Sequence, residues 1–328
     1  MKKFKKKYLL NRSILEFLDN ISINNTNKTK HKVKDHKSID ILMHVFEKLL
    51  DDINFYRGKL LTDGDDEDLH QFRIACRKSI VLMGEFKLLY DEERLLKYRR
   101  GLKNLISISN TKRDMDVLKI ELSKIDGDTH YQVALDGLKG HVENILQIEH
   151  DAIIDYLQSE TCTNFLMSWK NYITDMNITN ISIYGKYPIK PLSKYVILQR
   201  FLKIKKRIKV LDPKHDANET LHKLRIEYKK MRYLLESFGY LYEKKEIKKL
   251  LKEMKKLQNI LGLFHDSHQQ KIIFEALLEA EENESVRSFI KERLLSGLKA
   301  YQTKEIWEIK KLLKRFLKKE EVYRMIFA

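Results

Sequence analysis

LHQFRIACRKSIVLMGEFKLLY at residues 69–90 and LHKLRIEYKKMRYLLESFGYLY at residues 221–242 are two versions of one segment, and their agreement decides how the chain is read. Nine of the 22 positions are identical without a gap: Leu69, His70, Arg73, Ile74, Lys78, Leu82, Phe86, Leu89 and Tyr90. One basic cluster arises easily by chance, but the same cluster returning 152 positions later does not. The chain therefore reads as two copies of one unit carrying one cationic design.

On a helix the offsets 0, +3, +7 and +10 fall within an arc of about 80° and span about 15 Å of axis. His222, Arg225, Lys229 and Arg232 then form one basic stripe. His70, Arg73 and Arg77 repeat it in the first copy, where Ile80 stands in the place of Arg232. Leu69, Phe72, Cys76 and Met83, and Leu221, Leu224, Tyr228 and Leu235, make an apolar face directly beside the stripes. The basic stems are thus expected at the core edge with their heads converging on a groove. Histidine donates to phosphate in either charge state, arginine offers a planar fork and lysine a mobile point charge.

A second motif returns at the same offset. SNTKRDMDVL and LGLFHDSHQQ align Arg113 with His265 and Asp114 with Asp266. Each aspartate is expected to cap a helix start or to orient a cation of the stripe. His265 and His268 stand three apart, but no third ligand accompanies them and no metal is assigned. No phosphate-binding glycine loop, nucleophile elbow or zinc-protease motif occurs, so no catalytic residue and no cofactor are assigned.

Around these motifs the composition favours helices. The 328 residues include only three Pro and 11 Gly, and 43% are hydrophobic, enough for substantial cores. The expected fold is all-α. Residues 1–37 read as a basic and polar lead-in, 38–175 as the first helical-bundle repeat, 176–191 as a linker with Gly185, Pro188 and Pro191, and 192–320 as the second repeat. Short connections favour antiparallel neighbours and hence a helical bundle in each half. Within the second half, separate helices are expected over Lys244–Ile260, Phe264–Ala280, Ser285–Leu298 and Lys304–Leu317.

The net charge of +17, from 64 basic and 47 acidic residues, calls for an anionic partner. Cys76 and Cys162 form no CxxC pair and suit a reducing compartment. There is no apolar run of about 18 residues and no signal-like core, so a cytoplasmic protein without membrane insertion is expected.

At these residues the chain resembles the CHAD family, the conserved histidine α-helical domain. The pattern H-x-x-R-[VI]-x-x-R-[RK] is met by His70, Arg73, Ile74, Arg77 and Lys78, and H-x-x-R-x-x-x-K-[RK]-x-R-Y by His222, Arg225, Lys229, Lys230, Arg232 and Tyr233. R-D-x-D-V is met by Arg113, Asp114, Asp116 and Val117, and L-Q-x-x-L-G-x-x-x-D by Leu257, Gln258, Leu261, Gly262 and Asp266. The chain departs from the family pattern at Ile80 and at His265, where Asn is usual.

The resemblance implies two pseudo-twofold-related four-helix bundles flanking a basic central groove that binds inorganic polyphosphate without catalysis. Its expected contacts are His70, Arg73, Arg77, Lys78, Arg113, His222, Arg225, Lys229, Lys230 and Arg232. Secondary contacts are expected from Arg99, Lys103, Lys112, Arg200, Lys203, Arg207, Lys255 and Lys256, with Asp114 and Asp266 as orienting residues. Implied partners are a separate CYTH-type triphosphatase or polyphosphate-granule proteins, with granules as the expected place in the cytoplasm. RNA or DNA is the rival ligand, because phosphate contacts alone do not tell one polyanion from another. Single-strand binders, however, interleave aromatic stacking platforms that these stripes lack. A polyphosphate-processing enzyme using His70 or His222 is the third reading, and no paired carboxylates support it.

Overall fold

The computed structural model describes residues 37–90, 92–125, 131–175, 183–211, 217–280 and 282–327. Among these residues the structure is helical with no strand, as expected of an all-α chain. The one isolated bridge among them joins Lys37 to Pro188. The lead-in, apart from Lys37, lies outside the described residues.

The first copy begins with α1 (Ser38–Leu60), whose Ile39, Leu42, Phe46, Leu49, Leu50 and Ile53 are buried at helical spacing. Helix α2 (Asp66–Glu85) carries the first basic segment and starts in a capping box. The Asp68 amide donates to Asp65 Oδ1 at 2.9 Å and the Asp65 amide to Asp68 Oδ2 at 3.2 Å. Next come α3 (Glu92–Ser107), α4 (Asn110–Ser123), α5 (Gln132–Gln158) and α6 (Glu160–Asp175). Helix α1 packs on α2 and α6, α2 on α3, and α3 on α6. The last contact is close: a Cβ on Gly101 would stand 2.0 Å from the Phe165 ring, so only glycine lets the two helices approach this far.

The second copy is α7 (Ile189–Lys209), α8 (Ala217–Phe238), α9 (Lys244–Ala280), α10 (Glu284–Phe289), a π-helical segment (Ile290–Leu295), α11 (Ser296–Leu317) and α12 (Glu320–Phe327). Helix α7 packs on α8 and α12, α8 on α9, and α9 on α11. Equivalents also meet equivalents across the molecule, α1 against α7 and α2 against α8.

Three sequence expectations change here. Lys244–Ile260 and Phe264–Ala280 are one helix, α9, because Leu257, Ile260, Leu261 and Phe264 are all buried across the expected break. Their burial outweighs the roughly 1 kcal/mol that an interior Gly262 costs. The expected gap after Leu298 is likewise helical throughout. Finally, α12 closes the fold by burying Tyr323 and Phe327 beyond the expected end of the second repeat.

The two apolar clusters do not follow the two sequence halves. The larger runs from Ile39 to Phe327 and unites both copies. The smaller joins α4 and the start of α5 to the end of α9, α10 and the π-helical segment, through Leu118, Leu135, Phe274 and Phe289. Of the expected linker, residues 176–182 lie outside the described residues. The rest is packed rather than loose: Tyr184 and Ile189 are buried, and the Ser38 amide donates to the Tyr187 carbonyl at 2.7 Å.

Candidate functional site

Because α2 and α8 lie against each other, the two basic stripes come together, but their members do not all remain available. Arg73 is 3% exposed. Its Nη1 donates to the Ile106 carbonyl at 2.8 Å and to Ser109 Oγ, and its Nη2 to Asn110 Oδ1 at 2.9 Å. It was expected to contact ligand and instead fastens the break between α3 and α4. Burial, then Arg77 and Arg113, lower its pKa to about 10.

Arg225 holds the equivalent place in the second copy with different surroundings. Helix α9 is unbroken there, so its carbonyls are engaged within the helix. The nearest carboxylate is Asp266, 3.8 Å from Nη2, and the buried Arg225 Nε has no hydrogen-bond partner. Asp266 lies in the middle of α9 and Asp114 in the fifth position of α4, so neither caps a helix. Asp266 acts instead on the cations: it interacts with Arg225, Arg113 and Lys229.

These interactions define a cluster drawn from four helices. His70 of α2 interacts with Arg113 of α4, and Arg77 of α2 with Arg225 and Lys229 of α8. Among the described residues Arg77, Arg113 and Lys229 have no ion pair. Lys229 is most affected: burial first, then Arg225 and Arg77, lower its pKa to about 7. The carboxylates that act on these groups are Asp114, Asp266, Glu67 on His70 and Asp116 on Arg113, and the gathering of half-buried cations is mutually unfavourable. The apolar stems packed beneath them hold the charged heads in this arrangement.

His265 completes the cluster and was not among the expected contacts, although its alignment with Arg113 at the repeat offset was there to be read. Its Nδ1 lies 3.3 Å from His222 Nδ1. Burial, then Arg225 and His222, bring its pKa to about 3, and burial and Arg225 also lower that of His222. The pair lines a cavity of about 390 Å³ with Glu219, Leu261, Phe264 and His268. Among the described residues no three His, Cys, Asp or Glu side chains are grouped to hold a metal ion.

Other expected contacts are occupied by internal acids. Lys112 is buried and pairs with Asp66 at 2.5 Å and Asp116 at 3.2 Å. Arg200 pairs with both Glu85 and Glu227, and Arg207 with Glu227 at 3.4 Å. Lys78 lies 2.9 Å from Glu236 and Arg232 3.1 Å from it, a bridge between α2 and α8. Lys103, Lys255 and Lys256 are exposed, and no described interaction joins them to the cluster. Lys230 stands apart with Arg99, Lys203 and Arg207 on the other edge of α8.

The CHAD domain family profile matches residues 44–275. Comparison with curated protein sequences yields no match. The fold is similar to the crystal structure of the CHAD domain from the plant Ricinus communis, with a TM-score of 0.66 and 20% identity over 84% of this chain and 95% of that one. It is also similar to PptA from Streptomyces chartreusis, with a TM-score of 0.63 and 10% identity over 86% of this chain and 99% of that one. Among the described residues no helix is long and apolar enough to cross a membrane.

Proposed function

The chain belongs to the CHAD domain family, and on that premise we propose that it binds inorganic polyphosphate, without chemistry, at the cationic cluster of α2, α4, α8 and α9. The observation that carries the reading is convergence without neutralisation. His70, Arg77, Arg113, His222, Arg225 and Lys229 interact with one another across the two copies; Asp114 and Asp266 face them, Glu67 acts on His70, and Asp116, already paired with Lys112, acts on Arg113. A linear chain of phosphates supplies the missing charge at several points and accepts the guanidinium and ammonium donors along its length.

The aromatic residues favour polyphosphate over nucleic acid. Tyr228, Tyr233 and Phe264, which adjoin the cluster in sequence or line its cavity, are buried in the core and present no ring for a base to stack on. Catalysis receives no support from the acids: Asp266 and Asp114 face cations of the cluster, and Glu236 is held between Lys78 and Arg232. The ligand would bring such a protein to polyphosphate granules or to a separate CYTH-type triphosphatase in the cytoplasm.

Competition binding tests this. Long-chain polyphosphate is titrated against single-stranded RNA and DNA at two salt concentrations, for the natural chain and for Arg77→Glu/Arg225→Glu. Preference for polyphosphate, lost in the variant with a salt slope reduced by about 1 per contact removed, is the expected result. Tighter binding of RNA would overturn the ligand assignment, and shortened phosphate chains in the same tubes would overturn the non-catalytic one.

A further inference from the structure

Lys229 and Lys230 are adjacent in sequence but point about 100° apart on α8. They stand in separate electrostatic neighbourhoods. Lys229 interacts with Arg225, Arg77, Asp266 and Arg232. Lys230 interacts with Arg200, Glu85, Arg99 and Arg207, a set drawn from α7, the end of α2 and α3 that shares no member with the first. Lys203 of α7 belongs to the same group, through Arg200, Lys230 and Arg207.

This second group contains five cations, Arg99, Arg200, Lys203, Arg207 and Lys230, and two carboxylates, Glu85 and Glu227. Both carboxylates are already claimed by Arg200, and Glu227 also by Arg207. Among the described residues Arg99, Lys203 and Lys230 have neither an ion pair nor a hydrogen bond. Burial and the neighbouring cations hold Lys203 and Lys230 below the ordinary lysine range.

The equivalent edge of the first copy shows the same frame with its charge cancelled. Lys78 occupies the repeat position of Lys230 and has Glu236 at 2.9 Å. Asp52 of α1 also interacts with Lys78, and Asp51 precedes it. The repeat partner of Glu236 is Gly84, and that of Asp51 is Lys203. A carboxylate has been replaced by glycine at one position and by a cation at the other. Into the space left by Gly84 comes the Arg99 guanidinium, with Nη2 3.3 Å from where a Cβ would stand.

We propose that Arg99, Lys203 and Lys230, framed by Arg200 and Arg207, form a second and separate oligophosphate site on the α3–α7–α8 edge. The sequence suggests one groove; we place two sites, on faces of α8 about 100° apart. The inference rests on the polyphosphate reading of the first cluster for its ligand class. A short phosphate chain fills the sites independently, whereas a long one engages both, so affinity rises with chain length through effective concentration.

Calorimetric titration of the full chain with tripolyphosphate, and then with long-chain polyphosphate, tests this. Two tripolyphosphate equivalents are expected for the natural chain and one for Gly84→Glu, which restores the carboxylate present on the other edge. Gly84→Gln, of the same size without charge, retains two. The added Cβ meets only the end of the flexible Arg99 side chain, so folding is expected to survive. The double variant Lys203→Ala/Lys230→Ala gives the same loss by another route. In both site-loss variants the advantage of long over short chains falls by about tenfold or more. One equivalent in the natural chain, abolished by Arg225→Glu, would overturn the second site and leave the first standing. No binding of either ligand would overturn both.

Discussion

Arg73 and Arg225 occupy one position in the two copies and do different work. Arg73 is walled in by the Ile106 carbonyl, Ser109 and Asn110, where the chain breaks between α3 and α4. Arg225 faces α9, which runs unbroken through the matching stretch, so no carbonyl is released to receive it and Asp266 stands at 3.8 Å. The identity of a repeated cation therefore does not set its role. The continuity of the neighbouring helix does.

The sharpest way to break this contrast is to delete each arginine in turn. Arg73→Ala empties a buried position and removes the donor that the Ile106 carbonyl, the buried Ser109 hydroxyl and Asn110 Oδ1 accept from. It should cost about 3 kcal/mol of stability, read as a lower denaturant midpoint. Arg225→Ala removes a cation from among cations, so stability should change by less than about 1 kcal/mol. Its polyphosphate affinity should fall about tenfold or more, equivalent to about 1.4 kcal/mol. Equal destabilisation by the two variants would show that the copies are used alike.

The next effect belongs to Lys229, which stands where the first copy has Arg77. With a free-state pKa of about 7, Lys229 is mostly neutral at pH 8 to 9, while a bound polyanion favours its ammonium form. Binding then takes up a proton, and affinity should fall as pH rises above 7, by at most about tenfold per pH unit. Burial first, then Arg225, Arg77 and Arg232, press the proton off, and Asp266 holds it on. Stability of the free protein runs the opposite way. Folding lowers the lysine pKa, so stability is lost as pH falls from the ordinary lysine range through 7. Lys229→Arg should flatten the affinity profile between pH 7 and 9, and an unchanged slope would assign the proton elsewhere.

Much of this was legible in the sequence, and the parts that were not share a cause. Helical periodicity and the repeat offset put the two basic segments on helices, α2 and α8, because each carries a continuous apolar stripe beside its cations. The convergence of Arg77, Arg225 and Lys229 follows from the same offset. Which cations stay available was not legible, since Glu85, Glu227 and Glu236 reach Arg200, Arg207, Lys78 and Arg232 only across helix contacts. The break expected between Ile260 and Phe264 is closed by the burial of Leu257, Ile260, Leu261 and Phe264. Lys229 and Lys230 looked like one basic doublet, and the 100° turn between them sends them to different surroundings.

His265 offers a finer test, because Arg113 fills its place in the first copy. In the second copy the guanidinium gives way to an imidazole kept neutral beside His222 by burial and by Arg225. His265→Arg makes the copies alike. It should raise polyphosphate affinity severalfold at low salt and steepen the salt slope by about 1, and it should lower stability by about 1 kcal/mol through added repulsion. A steeper slope without tighter binding would mean that the new charge is screened rather than engaged.

The smallest expected change comes from Glu236, the carboxylate that Gly84 lacks. It bridges Lys78 on α2 and Arg232 on α8, at 2.9 and 3.1 Å, with all three side chains partly exposed. Such a pair contributes less than about 1 kcal/mol in water. Glu236→Gln should therefore leave the fold nearly unchanged while releasing two cations beside the first cluster. Polyphosphate affinity should rise about two- to threefold, more at low than at high salt, since exposed charges are screened within about 10 Å at 0.1 M ionic strength. If affinity fell instead, Glu236 would be holding Lys78 and Arg232 in the pose that receives the ligand, and the neutralised edge would belong to the site rather than bound it.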